Sequence, residues 1–208
     1  MDKRCNEIFN ILNGLIENPS CELNFKNNYE LLVAVILSAQ CTDKRVNEVS
    51  QKLFAVYDSP EKLSQAPLAD IEKIIKPCGF YKNKAKHIKQ ACIDIVAKFD
   101  GQVPSNMDDL MSLSGVGQKT ANVVLAEAFK KPAIAVDTHV FRVSNRLGLA
   151  HSKNVHEVER QLQACFDEKD WVKLHHMLIL FGRYYCKSRN PSCDNCRLKK
   201  YCQYYKEK

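Results

Sequence analysis

A lysine amine, a carboxylate and four crowded thiols are the groups in this sequence best placed to do chemistry. Lys119 follows the turn Ser114-Gly115-Val116-Gly117 inside residues 110–129, which read as a short helix, a tight turn and a longer helix. Glycine takes positive φ without steric cost and leaves neighbouring amides uncovered. Those amides, with the free N–H groups opening the next helix, make an anion site. Lys119 falls in the first turn of that helix, where the dipole disfavours a cation. The cost is small, and it invites a functional reason. Taken alone, a Gly-x-Gly turn serves equally well as a plain connection between helices. Asp137 lies in Ala135-Val136-Asp137-Thr138-His139-Val140-Phe141-Arg142-Val143, just ahead of a helical pattern. An aspartate there caps the helix. A catalytic role would require it to face Lys119.

The four thiols are Cys186, Cys193, Cys196 and Cys202, spaced x6-x2-x5. With no secretory signature in the sequence, clustered cysteines read as metal ligands rather than bridges. The central C-x-x-C is a common zinc half-site, but four-cysteine zinc sites normally pair two such doublets. The outer gaps do not match ferredoxin spacings either. Lys187, Arg189, Arg197, Lys199 and Lys200 surround the thiols. Their charge offsets thiolates and suits phosphates. The other six cysteines (Cys5, Cys21, Cys41, Cys78, Cys92, Cys165) are scattered through helical patterns and read as small buried apolar residues.

These groups must be held by helices, because periodicity shows no convincing strand. Residues 4–16 carry Ile8, Leu12, Leu15 and Ile16 on one face, and residues 29–39 are apolar nearly all round. Thr42 or Asp43 caps a helix with Val46, Val49, Leu53 and Val56 inward. Ser59-Pro60 and Pro67 open short helices, and residues 81–98 form a long one. Pro104-Ser105 leads into the hairpin, and further helices fall near 139–147, 154–166 and 170–186. Pro132 breaks the chain after the hairpin. The expectation is an all-α protein of two helical lobes. The 208 residues, 45% hydrophobic, allow a core for each, and the net charge of +7 favours a polyanionic partner. The longest apolar run, residues 31–37, is too short to span a bilayer. The chain opens on no secretory or transit pattern, which predicts a cytoplasmic, DNA-accessible location.

Leu110, Leu113, Val116, both hairpin glycines, Lys119 and Ala121, together with V-D-T-H-V-x-R-V and the x6-x2-x5 cysteines, resemble the endonuclease III family of DNA glycosylases. The resemblance covers nearly the whole chain. It implies a helix-hairpin-helix that grips one phosphate through backbone amides at Gly115, Val116 and Gly117. It further implies Lys119 as nucleophile, Asp137 as catalytic carboxylate, and a mainly structural 4Fe–4S cluster on Cys186, Cys193, Cys196 and Cys202, with Lys187 and Arg189 meeting DNA. Residues 37–43 are similar to the segment whose glutamine, here Gln40, enters the DNA stack. Residues 79–85 are similar to the loop whose tip wedges the duplex; that tip is Phe80 where the family often has Leu. Gln118 stands where Arg is common, and Phe181 where His is common.

The domains so implied are residues 22–131, a bundle with the hairpin, and residues 1–21 plus 132–208, an iron–sulfur lobe. The implied activity is that of a monomeric, bifunctional DNA glycosylase and AP lyase removing oxidised pyrimidines. Two other readings stay open on sequence: a monofunctional adenine or mismatched-thymine glycosylase, and a non-catalytic, metal-stabilised DNA-binding module.

Overall fold

Short polar side chains decide where this chain begins to coil. In a computed structural model, which describes residues 2–207, the side chains of Asp2, Asn27, Thr42, Ser59, Asn106, Asp137 and Asn154 each accept a first-turn amide. Each satisfies a donor that the helix itself leaves orphaned. The helices are α1 (Lys3–Asn13), α2 (Asn28–Ser38), α3 (Asp43–Val56), α4 (Pro60–Gln65), α5 (Leu68–Ile75), α6 (Tyr81–Lys98), α7 (Met107–Ser112) and α8 (Gln118–Phe129). They continue with α9 (Thr138–Leu147), α10 (Val155–Cys165), α11 (Trp171–Tyr184) and α12 (Gln203–Lys206). No strand occurs among the described residues. None of these helices is long and apolar enough to cross a membrane.

The chain divides into two compact units, Glu22–Lys130 and Met1–Cys21 with Lys131–Lys208. Within the first, α2 is the central post, packed by α3, α6 and α8. Its residues from Tyr29 to Leu37 are all buried, which explains why the sequence there has no polar face. Each fully buried Leu or Ile contributes roughly 2 kcal/mol. Glu30 is buried with them, its carboxylate accepting the Lys26 amide at 2.7 Å. Val46, Val49 and Leu53 point inward from α3, but Val56 is 55% exposed, against expectation. The stripe runs off the core at the last turn, where Tyr57 ends the helix.

In the second unit α1 packs on α11, and α11 on α9. Ile8 and Leu12 share a core with Val140, Val143, Leu174 and Met177. Cys5 and Cys165, expected as unpaired apolar residues, form a disulfide joining α1 to the end of α10. The period of the helices brought both to one core, but spacing across 160 residues carries no sign of pairing.

Candidate functional site

The hairpin of the Glu22–Lys130 unit is anchored from below. Leu110, Leu113, Val116 and Ala121 are buried in the core, so the turn between α7 and α8 cannot drift. Asn106 closes α7 in both directions, accepting the Asp109 amide at 2.9 Å and donating to its carboxylate at 2.6 Å. Gly115 has φ +80°, the left-handed region that favours glycine. The residue below it is His87 of α6, whose Nδ1 lies 2.9 Å from Ser114 Oγ. A Cβ on Gly115 would fall 2.8 Å from His87 Cβ. Gly117 differs. Its φ of −98° suits any residue, and a Cβ there would meet nothing within 4 Å. Its value is the open space itself. Gly117 is the N-cap of α8 and supplies no side-chain hydrogen bond, so no cap side chain stands between the start of the helix and an anion. Lys119, second residue of α8, is exposed beside them.

Two further loops of the same unit come together. Gln40, just past the end of α2, is exposed with φ +52°. Phe80, the N-cap of α6, has φ +57° and is 67% exposed, so it is no core residue. Left-handed backbone is costly for side-chain-bearing residues and is held only where the surroundings enforce it. Two contacts do so here. A Cβ built on Gly79 would lie 3.7 Å from the Gln40 carbonyl oxygen, so the loops touch. The ammonium of Lys84 is buried and donates to the Leu37 carbonyl at 2.8 Å, tying the first turn of α6 to the last turn of α2. Burial holds its pKa below the ordinary lysine value. Lys84 and His87 both escaped sequence reasoning. Their only signal was a basic residue at a core position of a helix, and a histidine one turn further on.

In the other unit, Asp137 caps α9. Its Oδ1 accepts both the His139 and Val140 amides, at 2.9 and 2.7 Å, which leaves Oδ2 outside the cap. Cys186, Cys193, Cys196 and Cys202 line one pocket with Leu147, Phe181, Tyr185, Pro191, Tyr204 and Tyr205. Successive tight turns shape the loop, with Cys196 N–H donating to Cys193 O and Cys202 N–H to Lys199 O. Lys187 and Arg189 are exposed on it. Burial raises the pKa of the Cys196 and Cys202 thiols, and a cationic group bound among them would favour their thiolates.

The donor set can be tested against its possible occupants. Thiolates around one zinc lie about 3.8 Å apart, given Zn–S bonds of about 2.3 Å. Among the described residues, no three of these four sulfurs come within 4.8 Å of one another. Asp2, Cys5 and Cys165 do converge so closely, but the two cysteines are bonded to each other. Four soft thiolates around an apolar pocket suit a thiophilic metal group.

Arg142 and Arg146, which their spacing alone would leave as surface or cleft-edge charges, brace this loop from α9. Arg142 donates to the Cys186 and Gly182 carbonyls at 3.1 and 2.8 Å. Arg146 reaches Cys186 Sγ at 3.4 Å and the Lys187 and Ser188 carbonyls at 2.8 and 3.2 Å. It also lies 4.2 Å from the centre of the Tyr204 ring. Their spacing of four put them on one helix face. Periodicity could not say what that face meets.

A helical hairpin with an uncapped second helix, a lysine at its opening and a four-cysteine loop define a class seen in base excision DNA repair. Residues 33–168 match the family described as HhH-GPD superfamily base excision DNA repair protein. The endonuclease III of Rickettsia conorii is 48% identical over 200 residues, covering 96% of this chain and 95% of that protein. A trapped endonuclease III–DNA covalent intermediate has 43% identity and a TM-score of 0.94, covering 100% of this chain and 99% of the other. A non-covalent endonuclease III–DNA complex gives 0.95 at the same identity, covering 100% and 98%. The chain therefore belongs to the HhH-GPD superfamily and, within it, to the endonuclease III family.

Proposed function

We infer that the protein is a bifunctional DNA glycosylase and AP lyase that removes oxidised pyrimidines from duplex DNA and nicks the resulting abasic site. The observation that carries this is Lys119, an exposed amine at the opening of an uncapped hairpin helix. A monofunctional glycosylase or a passive DNA-binding module has no need of it. The trapped covalent complex of a relative supports the same chemistry.

A base inside the duplex shields its sugar C1′, so the nucleotide must first be extruded. Gln40 and Phe80 fill the gap, their loops pre-set by the Lys84 tie. The hairpin amides near Gly115, Val116 and Gly117 hold a phosphate and read no base. The amine of Lys119 attacks C1′, the damaged base departs, and a Schiff base forms. Loss of a C2′ proton then expels the 3′ phosphate by β-elimination. Asp137 steadies positive charge on the sugar through Oδ2, while Oδ1 keeps it oriented in the helix cap. A 4Fe–4S cluster on Cys186, Cys193, Cys196 and Cys202 would cross-link the loop and take no part in the reaction. The loop then offers Lys187 and Arg189 to phosphates. The protein works as a monomer in the compartment that holds the DNA.

Borohydride trapping on abasic duplex tests the reading. Wild-type protein gives a covalent adduct, and Lys119→Gln loses it while keeping DNA affinity. Because Lys119 is exposed, folding stability should change by no more than about 0.5 kcal/mol. Trapping of Lys119→Gln at the wild-type level would rule the nucleophile out.

A further inference from the structure

Beside Gln40 and Phe80 in the chain are two thiols that the repair chemistry does not use. Cys41 follows Gln40, and Cys78 comes two residues before Phe80. Both are free, Cys41 half-buried and Cys78 buried. Each is pinned by its own amide, Cys41 to the Ser38 carbonyl at 3.0 Å and Cys78 to Ile75 at 2.8 Å. Cys41 is near enough to act on the Cys78 thiol and help raise its pKa. The adjoining backbones touch where Gly79 meets the Gln40 carbonyl. Lys84 supplies a positive charge that acts on both sulfurs, and Arg45 one that acts on Cys78. A close thiol pair, one member open to solvent and both under cationic influence, has the makings of an exchangeable dithiol.

We propose that Cys41 and Cys78 form a reversible thiol-modification site whose co-substrate is a low-molecular-weight disulfide such as oxidised glutathione. The Cys41 thiolate attacks one sulfur of that disulfide, forming a mixed disulfide and releasing one thiolate. The Cys78 thiolate then attacks the Cys41 sulfur, closing the Cys41–Cys78 bond and expelling the second thiol. Two electrons pass from the pair to the co-substrate, two protons leave the cysteines, and two glutathione thiols result. Cys92, the third cysteine of this unit, is too deeply buried to compete, and burial pushes its thiol up to about 12.

The second step becomes easier after the first. Cys78 is pushed up to about 11 by burial, then by the charge of Cys41, while Lys84 and Arg45 pull the other way. Capping Cys41 removes its charge and leaves the two cations. The product bond joins the α2–α3 connection to the α5–α6 connection. It fixes the spacing of the two residues proposed to enter the DNA stack. Oxidation therefore blocks strand opening, a regulatory consequence that rests on the role assigned above to Gln40 and Phe80.

The test uses full-length protein as isolated, incubated with oxidised glutathione and mapped as non-reduced peptides. A linked Cys41–Cys78 peptide, lighter than its two thiol peptides together by two hydrogens, is expected. Glutathione on Cys41 with no linked peptide would overturn the site. Oxidised wild type should also lose excision of a damaged base from duplex and regain it with a dithiol reductant. Cys41→Ala and Cys78→Ala, treated identically, should keep it. Equal losses in wild type and both variants would overturn the regulation. If reduced wild type excises nothing, the proposed function fails instead, and the peptide map alone decides the thiol site.

Discussion

Alanine at Gly115 and at Gly117 should separate the conformation of the hairpin from its approach to DNA. At Gly115 the backbone is left-handed, φ +80°, which costs a side-chain-bearing residue roughly 1–2 kcal/mol. The new Cβ would also sit 2.8 Å from His87 Cβ and 3.1 Å from its Cγ. A Cβ cannot rotate away, so α6 or the turn must shift, and such overpacking costs roughly 1–3 kcal/mol. Together these predict a loss of about 2–5 kcal/mol, a large part of the 5–15 kcal/mol typical of a domain. Gly117→Ala meets neither obstacle, since φ is −98° and the space is empty. Its effect on folding should stay within about 1 kcal/mol, with a gain as plausible as a loss. What it obstructs is the approach of a phosphate to the first-turn amides of α8. Its affinity for damaged and intact duplexes should fall by about the same factor. Urea titrations of both variants, with DNA titrations at one fixed salt concentration, check this. Equal destabilisation by the two substitutions would refute the conformational argument. Loss of lesion preference with affinity spared in Gly117→Ala would make the hairpin part of the base pocket.

Asp137→Asn should keep the α9 cap, because asparagine caps as well as aspartate, and cost stability no more than about 1 kcal/mol; nicking of abasic DNA should nonetheless collapse, and unchanged turnover would leave Asp137 the cap alone. Arg146→Ala removes the bonds to Cys186, Lys187 and Ser188. Wild-type protein should carry about four irons per chain, and the variant should lose iron faster to a chelator and be cut sooner between residues 187 and 192; identical behaviour of the two would show the brace to be idle. Stability should also decline in alkali. Tyr29, donating to the Tyr57 carbonyl at 2.9 Å, is held above the ordinary tyrosine range by burial, and Cys92 is pushed up to about 12 for the same reason. Both folded values lie above the unfolded ones, so their contribution is whole below the unfolded pKa values and is lost as pH rises. For Cys92 the loss begins near pH 8.5 and reaches roughly 3 kcal/mol by pH 11. Urea midpoints measured from pH 8 to 11 should fall more steeply for wild type than for Cys92→Ala, and parallel slopes would contradict this.

Most of the fold was legible because it is written locally. Thr42, Ser59 and Asp137 cap where a polar side chain precedes an apolar period, and the unbroken apolar run of α2 announces a helix buried on every side. What sequence could not give depends on distant neighbours. Two glycines of one turn look alike, yet only Gly115 needs positive φ, because only the turn's path over His87 requires it. Arg142 and Arg146 offered nothing but their four-residue spacing, because their distant acceptors are carbonyls 40 or more residues away. The Gln40 and Phe80 loops carry no glycine at their left-handed positions. A rule that looks for glycine at such sites passes over both.

The discontinuous unit also dictates an order of events during synthesis. α1 is the first helix made, yet its partners, α9 and above all α11, come from the far end of the chain. At ribosomal speeds of about 5–20 residues per second, roughly ten to thirty seconds separate α1 from α11. In that interval Glu22–Lys130 is completed and can bury its own core, while Ile8 and Leu12 have nothing to cover them. The flanking Lys3, Arg4, Asn6, Glu7 and Asn10 give the waiting helix a polar side that limits association. Cys5 likewise waits for Cys165. The first helix to leave the ribosome is among the last to be packed.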